Sequence, residues 1–230
     1  QTRIKIKEAS LIKHQGWVNV YRCFSNDLIW PRGFPLNMIH QKQNISEVDF
    51  RKIDAPIQQG LANGNPDVDA VYRLVMPLPF NFNLHQDIAL DKGAWCPFNS
   101  QNTTWWKEVF PLLYLPSYCS FRMTDIWRSL IAQKILWANN KKMIFHKPTV
   151  YQERNEHNLM KDFADEVSGY LQVSDVQVLL SQMDILPGFH QIPEAMRQCY
   201  ACLVKKDIFD VKELDILDAW LKDLELLSLE

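Results

Sequence analysis

The chain has few glycines, no long hydrophobic run and no basic cluster, and each of these absences excludes a class of protein. Only 7 of its 230 residues are Gly, against 12 Pro and 8 Trp, which argues against a Gly-rich dinucleotide-binding protein. No apolar run approaches the length of a membrane span, and no signal peptide opens the sequence. The formal net charge of -2 argues against nucleic acid as the main partner. We therefore expect an aromatic, loop-rich globular chain that carries no membrane anchor of its own.

The segment 94–103 is the most informative one that is present. It places the amides Asn99, Gln101 and Asn102 close to the aromatic rings of Trp95 and Phe98, with almost no charge. Amides beside aromatic rings suit a ligand with apolar faces and hydroxyl edges, as sugars have. The alternative is a rigid loop whose amides satisfy its own backbone, and the segment alone does not decide between the two.

The first part of the chain, up to about Tyr170, alternates short β-like runs with Pro-rich loops and a few helices. Runs rich in β-branched and aromatic residues predict strands at 18–24, 70–76, 119–123 and 143–145. A helix is predicted to begin at Thr124 and Asp125, which suit a helix N-terminus, and to end at Asn139.

Further along, Asn155 could cap another helix. The inner face of that helix would use Leu159, Met160 and Phe163.

From Ser174 onward the sequence becomes acidic and leucine-rich. Ser174 and Asp210 are predicted to open helices, and Pro193 suits the first turn of a helix between them. We therefore predict an α/β fold, with a mixed sheet flanked by helices and an α-helical C-terminal tail. The expected division is an α/β domain at 1–170 and a helical C-terminal extension at 171–230.

Three constellations could carry chemistry, and the first is the turn that contains Asp67 and Asp69. Two carboxylates separated by one residue, on a tight turn at a strand edge, can both face a divalent cation. Mg²⁺ and Mn²⁺ prefer such oxygen ligands and leave positions open for phosphates. The motif is short enough to occur by chance in an acidic chain.

The second constellation lies at the start of the helix predicted from Thr124. Asp125 either satisfies the helix dipole or acts as a general base on an acceptor hydroxyl, and Arg128 would then lie near a phosphate or sugar.

The third constellation, at 152–158, gathers a guanidinium, an imidazole and amides at one loop-to-helix junction. Arg154 could hold phosphate oxygens bidentately and neutral His157 could ligate a metal. The alternative is a capped helix with a solvated polar face.

Five stretches in one order resemble the STELLO family of probable glycosyltransferases. They are IWPRGFPL at 29–36, QQG at 58–60 with PDVDAVYRL at 66–74, PFNSQNT at 97–103, FRMTDIWR at 121–128 and QERNEHN at 152–158. The resemblance runs from about residue 26 to residue 170, and five motifs in register are far more specific than any one of them.

This resemblance implies a glycosyltransferase that moves a sugar from a nucleotide-sugar donor to a glycan hydroxyl, assisted by Mn²⁺ or Mg²⁺. It also implies a GT-A-like fold, a Golgi lumenal domain on a type II membrane anchor, and association with membrane-bound cellulose-synthesis machinery. Asn44 and Asn102 each begin a glycosylation acceptor motif, which matters only in a secretory compartment.

Carried over position by position, the resemblance implies three sets of residues. Asp125 would be the catalytic base. Donor and acceptor contacts would come from Arg32, Arg73, Asn99, Gln101, Asn102, Arg128, Arg154 and Asn155. The metal would be held by Asp67, Asp69 and His157.

Fewer than seventy residues precede Asp67, whereas a GT-A donor site needs about three strand–helix units before its D-x-D, roughly 30 residues each. Either a nucleotide-binding half lies upstream, or Asp67 and Asp69 have another role. They could line the acceptor side, or brace Arg73 and the loop from Trp30 to Arg32.

Two other functions remain open beside glycosyl transfer. One is a non-catalytic module with a glycosyltransferase-like fold that binds a glycan or a partner enzyme. The other is a glycoside hydrolase, whose pair of carboxylates needs a defined separation that the sequence does not provide.

Overall fold

A computed structural model describes residues 5–41, 46–84, 86–153 and 156–228. Within these ranges the main sheet has six strands: β1 (Ile6–Lys13), β3 (Ser46–Asp54), β4 (Ile57–Gly64), β5 (Ile88–Leu90), β7 (Thr103–Trp105) and β8 (Met143–Gln152). Their order is β3-β1-β5-β8-β4-β7. The short strands β2 (Gly16–Trp17) and β6 (Ala94–Trp95) pair separately.

The sheet is mixed. Strands β1 and β5 are parallel, as are β8 and β4, whereas the other neighbouring pairs are antiparallel. Parallel β4 and β8 therefore end at the same edge, where the backbone N–H of Asn65 donates to the carbonyl of Gln152 at 3.0 Å. The carboxyl ends of parallel strands are where open α/β sheets usually bind ligands.

In the described part of the chain, five α-helices accompany the sheet: α1 (Ala70–Val75), α2 (Thr124–Ala138), α3 (Leu159–Gln182), α4 (Ile192–Val204) and α5 (Glu213–Ser228). Twelve of the fifteen residues of α2 are buried, so this helix runs through the middle of the core. The predicted α/β class, with a mixed sheet, flanking helices and a helical C-terminal region, is confirmed. None of the described helices combines the length and the apolar character needed to span a membrane.

Three of the four predicted strands are wrong. Residues 18–24 contain the 3-10 helix Val20–Cys23, and residues 119–123 end in the 3-10 helix Phe121–Met123. Residues 70–76 form α1, because the Asp69 carboxylate accepts from the backbone N–H of Tyr72 at 2.7 Å and caps the helix. A local cap thus outweighs the β preference of the side chains. The strand at 143–145 is confirmed as the start of β8.

The predicted helix from Thr124 to Asn139 is confirmed as α2. The prediction for α3 is wrong in two respects. Its described cap is Asn158, and Met160 is exposed rather than on the inner face. The helix also continues through Ser174 without a break, and it crosses the predicted domain division at residue 170. That division stays a prediction, although one apolar core contains residues from both sides of it, including Trp127 and Leu180.

The C-terminal helix is attached to the rest of the fold through a buried carboxylate, Glu213. Its side chain accepts from the Tyr114 hydroxyl and from the backbone N–H groups of Ser117 and Tyr118, the latter two at 2.9 and 2.7 Å. Glu213 is fully buried at the start of α5. Three donors in the loop before α2 thus depend on one side chain from the tail.

We expect Glu213→Ala to lower the free energy of unfolding by about 2 to 4 kcal/mol, because the substitution leaves buried donors unsatisfied. Chemical denaturation measures this loss. Asp215→Ala is the matched control, since Asp215 is an exposed acid in the same first turn and shares only the helix-dipole effect. Equal losses in the two variants would contradict the anchoring role.

Candidate functional site

The Arg32 cluster (Arg32, Asp67 and Asp125) joins three segments at the carboxyl end of β4. The Arg32 guanidinium contacts Asp67 through Nε at 3.0 Å and Nη2 at 2.8 Å. Its Nη2 also lies 3.0 Å from both carboxylate oxygens of Asp125, in the first turn of α2. A third contact between Arg32 and Asp67 is the backbone bond from N to O at 3.1 Å. One cation therefore neutralises two carboxylates in the interior.

Gly33 allows the Arg32 segment to lie directly against α2. Its φ is +82°, and a Cβ at this position would lie 2.4 Å from the Ile126 side chain. Any other residue would push the loop away from the helix. The Gly of the IWPRGFPL motif thus has a steric function in positioning Arg32.

Burial and the neighbouring charges shift the pKa values of Arg32 and Asp67 in opposite directions. Burial by itself would raise the pKa of Asp67, but the Arg32 guanidinium holds this pKa below its usual value. Burial likewise opposes the charge of Arg32, whereas Asp67 and Asp125 raise the pKa of the guanidinium. The charges of Arg32 and Asp67 therefore stabilise each other in the interior.

Asp69 lies in a different environment from Asp67, although only one residue separates them. Its oxygens accept from the Trp30 indole N–H at 2.6 Å and from the Tyr72 backbone N–H at 2.7 Å, and the residue is fully buried. Burial raises the pKa of Asp69 to about 7, despite these two hydrogen bonds, which favour the charged form. Asp67 and Asp69 thus brace the loop from Trp30 to Arg32, as one of the sequence-based alternatives predicts.

A second buried ion pair lies beside the Arg32 cluster, and sequence reasoning missed it. Arg122 Nε donates to Glu166 at 2.8 Å, and the carbonyl of Arg122 accepts from Arg32. Glu166, fully buried on α3, also accepts from the Ala70 backbone N–H at 2.8 Å and from the Tyr170 hydroxyl at 2.5 Å. An acidic residue on a helix is normally predicted to face solvent, so no sequence signal pointed to this contact.

The amide loop (residues 97–103) is hydrogen-bonded mainly to β4 and to the turn that follows β4. Asn99 and Gln59 on β4 exchange two hydrogen bonds of 2.8 Å, from Gln59 Nε2 to Asn99 Oδ1 and from the Asn99 backbone N–H to Gln59 Oε1. The Gln101 amide donates to the Asn65 carbonyl at 2.9 Å. Asn102 Nδ2 donates to the Leu61 carbonyl at 3.1 Å. Within the loop itself, the Gln101 backbone N–H donates to Asn99 Oδ1 at 2.9 Å. The loop's own backbone therefore engages only part of these amides, and the choice between a rigid loop and a polar pocket stays a prediction.

Arg128 differs from Arg32 in having no carboxylate in direct contact among the described residues. Its Nη2 donates to the Ser100 hydroxyl at 3.0 Å, and the guanidinium carbon lies 4.9 Å from the centre of the Trp105 ring. Arg128 is 5% exposed, and its buried Nε has no hydrogen-bond partner among the residues that the structure describes. Burial lowers the pKa of Arg128, and the nearby Asp125 charge opposes this effect. The guanidinium is therefore a partly unsatisfied cation behind the amide loop.

The remaining predicted site residues lie near this edge or outside the described ranges. Arg73 Nη2 donates to the Pro66 carbonyl at 2.8 Å, so it braces the turn before α1. Arg154 and Asn155, which follow the carboxyl end of β8, lie outside the described residues. Asn44, the first predicted glycosylation position, also lies outside them.

His157 is a half-exposed side chain that pairs with Asp162, with 3.5 Å between its Nδ1 and Oδ2 of the carboxylate.

The residues predicted to bind a cation do not fit one as they are arranged. Both oxygens of Asp67 are held by Arg32, and both oxygens of Asp69 by N–H donors. Within the described ranges, no group of three or more His, Cys, Asp or Glu side chains is arranged to hold a metal ion. A requirement for Mn²⁺ or Mg²⁺ stays a prediction, and we assign no chemical step to a cation.

We expect Arg32→Met to lower the free energy of unfolding at pH 7 by about 3 to 5 kcal/mol, because it leaves Asp67 and Asp125 buried without their cation. The ion pair stabilises the fold above the unfolded pKa of Asp67 and is lost as pH falls through its lower folded pKa. The difference between variant and wild type should therefore be smaller at pH 3, below the unfolded pKa of Asp67, than at pH 7. Chemical denaturation at both pH values measures it, with the exposed Arg51→Met as control. A pH-independent difference would contradict this account.

Asp69 gives stability a pH dependence of the opposite sign, and we expect Asp69→Asn to remove it. The folded pKa of about 7 lies above the unfolded value, so the folded state binds more protons between these two pKa values, and wild-type stability falls as pH rises through that range. The contribution between pH 5 and pH 8 is on the order of 2 kcal/mol. The Asn variant should lose this slope, as followed by chemical denaturation at each pH. The exposed Asp223→Asn should retain the slope, and an unchanged slope in Asp69→Asn would show that Asp69 does not titrate there.

Comparison with known proteins supports the resemblance seen in the motifs. A family model described as STELLO glycosyltransferases matches residues 122–230, so the similarity includes the helical region after Tyr170. Two proteins of Arabidopsis thaliana, named probable glycosyltransferase STELLO2 and STELLO1, are 28% and 27% identical over 221 residues, or 90% of this chain. The chain spans only 28% and 27% of the length of these relatives. The resemblance of this chain to the STELLO glycosyltransferases is thus confirmed.

Proposed function

We propose that this chain forms part of a glycosyltransferase that moves a sugar from a nucleotide-sugar donor to a glycan hydroxyl. The observation that carries the proposal is Arg128, a buried guanidinium without a carboxylate partner among the described residues. An arginine in this state suits an anionic ligand, because planar guanidinium groups bind phosphate oxygens bidentately. The diphosphate of a nucleotide-sugar is such a ligand.

The groups around Arg128 suit the sugar part of the same ligand. Ser100 is exposed and lies in hydrogen-bond contact with Arg128, and the half-buried ring of Trp105 lies against the guanidinium. On the outer side of the amide loop, Asn102 contacts the exposed Thr149 hydroxyl at 2.9 Å. Hydroxyl and amide groups beside an indole ring are the contacts that a sugar needs.

Two further candidate ligands, Arg154 and Asn155, lie outside the described residues. We propose that they contribute to donor or acceptor binding together with Arg128, as the resemblance implies.

The role of Asp125 as a general base stays a prediction. Both of its oxygens accept from Arg32, and one also accepts from the Ser100 backbone N–H at 3.0 Å. A base must reach the proton that it removes, so the ion pair would have to open during the reaction. Asp125 does position Ser100, the residue that contacts Arg128.

A second candidate function is a non-catalytic glycan-binding or assembly module with the same fold. It is favoured by the internal pairing of Asp67, Asp69, Asp125 and Asn99, which gives each of them a structural role. In that case a glycan would bind independently of any nucleotide. Location in the Golgi lumen and association with a membrane-protein complex stay predictions under either function.

Arg128→Gln tests the proposal through binding of UDP and GDP, measured by calorimetry with and without Mn²⁺. Removing a charged hydrogen-bond donor should weaken nucleotide binding about 10- to 100-fold. The control is Arg197→Gln, which removes a half-exposed arginine on α4. Circular dichroism and thermal melting show whether both variants fold.

Three results are decisive. Loss of nucleotide binding in Arg128→Gln alone supports the proposal. Binding that is equal in the two variants would exclude Arg128 as the phosphate ligand. A wild-type chain that binds a glycan on an array but neither nucleotide would favour the non-catalytic module.

A further inference from the structure

Helix α3 has a buried face, which is apolar in its second half, and an opposite face that is exposed in the part of the chain that the structure describes. The inner face carries the buried residues Asp162, Glu166, Gly169, Val173, Val176 and Leu180. The opposite face is apolar too. It exposes Met160 at 63%, Val167 at 36%, Leu171 at 75% and Val178 at 48% of their surfaces, with the exposed Ala164 between them.

The exposed residues recur at the spacing of a coiled-coil seam. From Met160 the steps to Ala164, Val167 and Leu171 are 4, 3 and 4 residues, and Val178 follows one heptad after Leu171. Such alternating steps of three and four place the side chains in one stripe that another helix can pack against. We call this stripe, Met160 to Val178, the outer seam. A solvent-facing helix side normally carries polar residues at these positions.

Neighbouring elements add to the exposed apolar surface. Phe121 is 87% exposed, and the preceding Ser120 donates a hydrogen bond to the Asp165 carbonyl on α3. Val75, at the end of α1, is 67% exposed, and α1 is held to α3 through Glu166. Exposed apolar side chains near one helix are typical of interaction sites.

The charges beside the outer seam are arranged for a second copy of the same helix running in the opposite direction. If Met160 faces Val178 of the second copy and Val167 faces its Leu171, the flanking Lys161 faces Asp175. The two-fold axis repeats this Lys–Asp pair at the other end. Neither Lys161 nor Asp175 forms an ion pair with another residue that the structure describes.

We propose that the outer seam is a self-association surface through which two copies of this chain pair by antiparallel α3 helices. Apolar contacts along the seam provide the affinity, and the two Lys161–Asp175 pairs select the antiparallel register. In this register Ser168 lies at the two-fold axis, next to Ser168 of the second copy.

Sedimentation velocity over increasing protein concentration tests the association. We expect wild type to form dimers and Leu171→Glu to weaken the dimer at least about 10-fold, because two charges enter the seam. Leu186→Glu is the matched control, as Leu186 is 65% exposed in the segment after α3. Circular dichroism shows that both variants fold. A wild-type monomer at every concentration, or a dimer that Leu171→Glu leaves intact, would overturn the proposal.

The register has its own test. Lys161→Glu and Asp175→Lys should each weaken the dimer, whereas the double variant should restore it. Ser168→Cys should form a disulfide-linked dimer under mild oxidation. Ser181→Cys on the same helix should not, since the two copies of residue 181 would be roughly 35 to 40 Å apart. Cross-linking through position 181 and not 168, or a double variant that stays weakened, would overturn the antiparallel arrangement.

Discussion

The interaction on which the rest of this edge depends is the contact of one buried arginine with two carboxylates. Arg32 holds Asp67, after β4, and Asp125, at the start of α2, so one guanidinium joins three segments that are distant in sequence. Two carboxylates this close in a protein interior would repel each other without a cation. The pairing therefore constrains where the Trp30–Arg32 loop, the turn before α1 and the N-terminus of α2 can lie.

Two further buried carboxylates connect the later helices to the rest of the fold in the same way. Glu166 brings α3 into contact with Arg122 and with the start of α1, and Glu213 attaches α5 to the loop before α2. Each carboxylate receives several donors, which is the condition under which a buried charge is tolerated. The helical C-terminal region is thus bound to the sheet domain by polar contacts as well as through a shared apolar core.

This network also separates structural residues from the best functional candidate. Arg32, Asp67 and Asp69 form hydrogen bonds within the chain, which gives each of them a structural role. Among the described residues, Arg128 contacts a hydroxyl and aromatic rings but no carboxylate, which is why it carries the proposed anion contact. Residues of one motif, Asp125 and Arg128, can therefore differ in role although they lie one helical turn apart.

The sequence by itself determined the features that depend on short-range order. Helix α2 was predictable because its apolar residues recur at helical spacing, and the resemblance to the STELLO family was visible in five ordered motifs. The sequence also contained the alternative that Asp67 and Asp69 brace the Trp30–Arg32 loop, but only the tertiary structure decided for it.

The tertiary structure determined the features that depend on contacts between residues far apart in the sequence. The run at 70–76 has strand-like side chains, yet the Asp69 cap makes it a helix. Glu166 and Glu213 are acidic residues that a single sequence assigns to the surface, and they are buried because Arg122 and backbone donors surround them. The free energy of a charge in the interior depends on partners far away in the chain, and local sequence patterns carry no record of those partners.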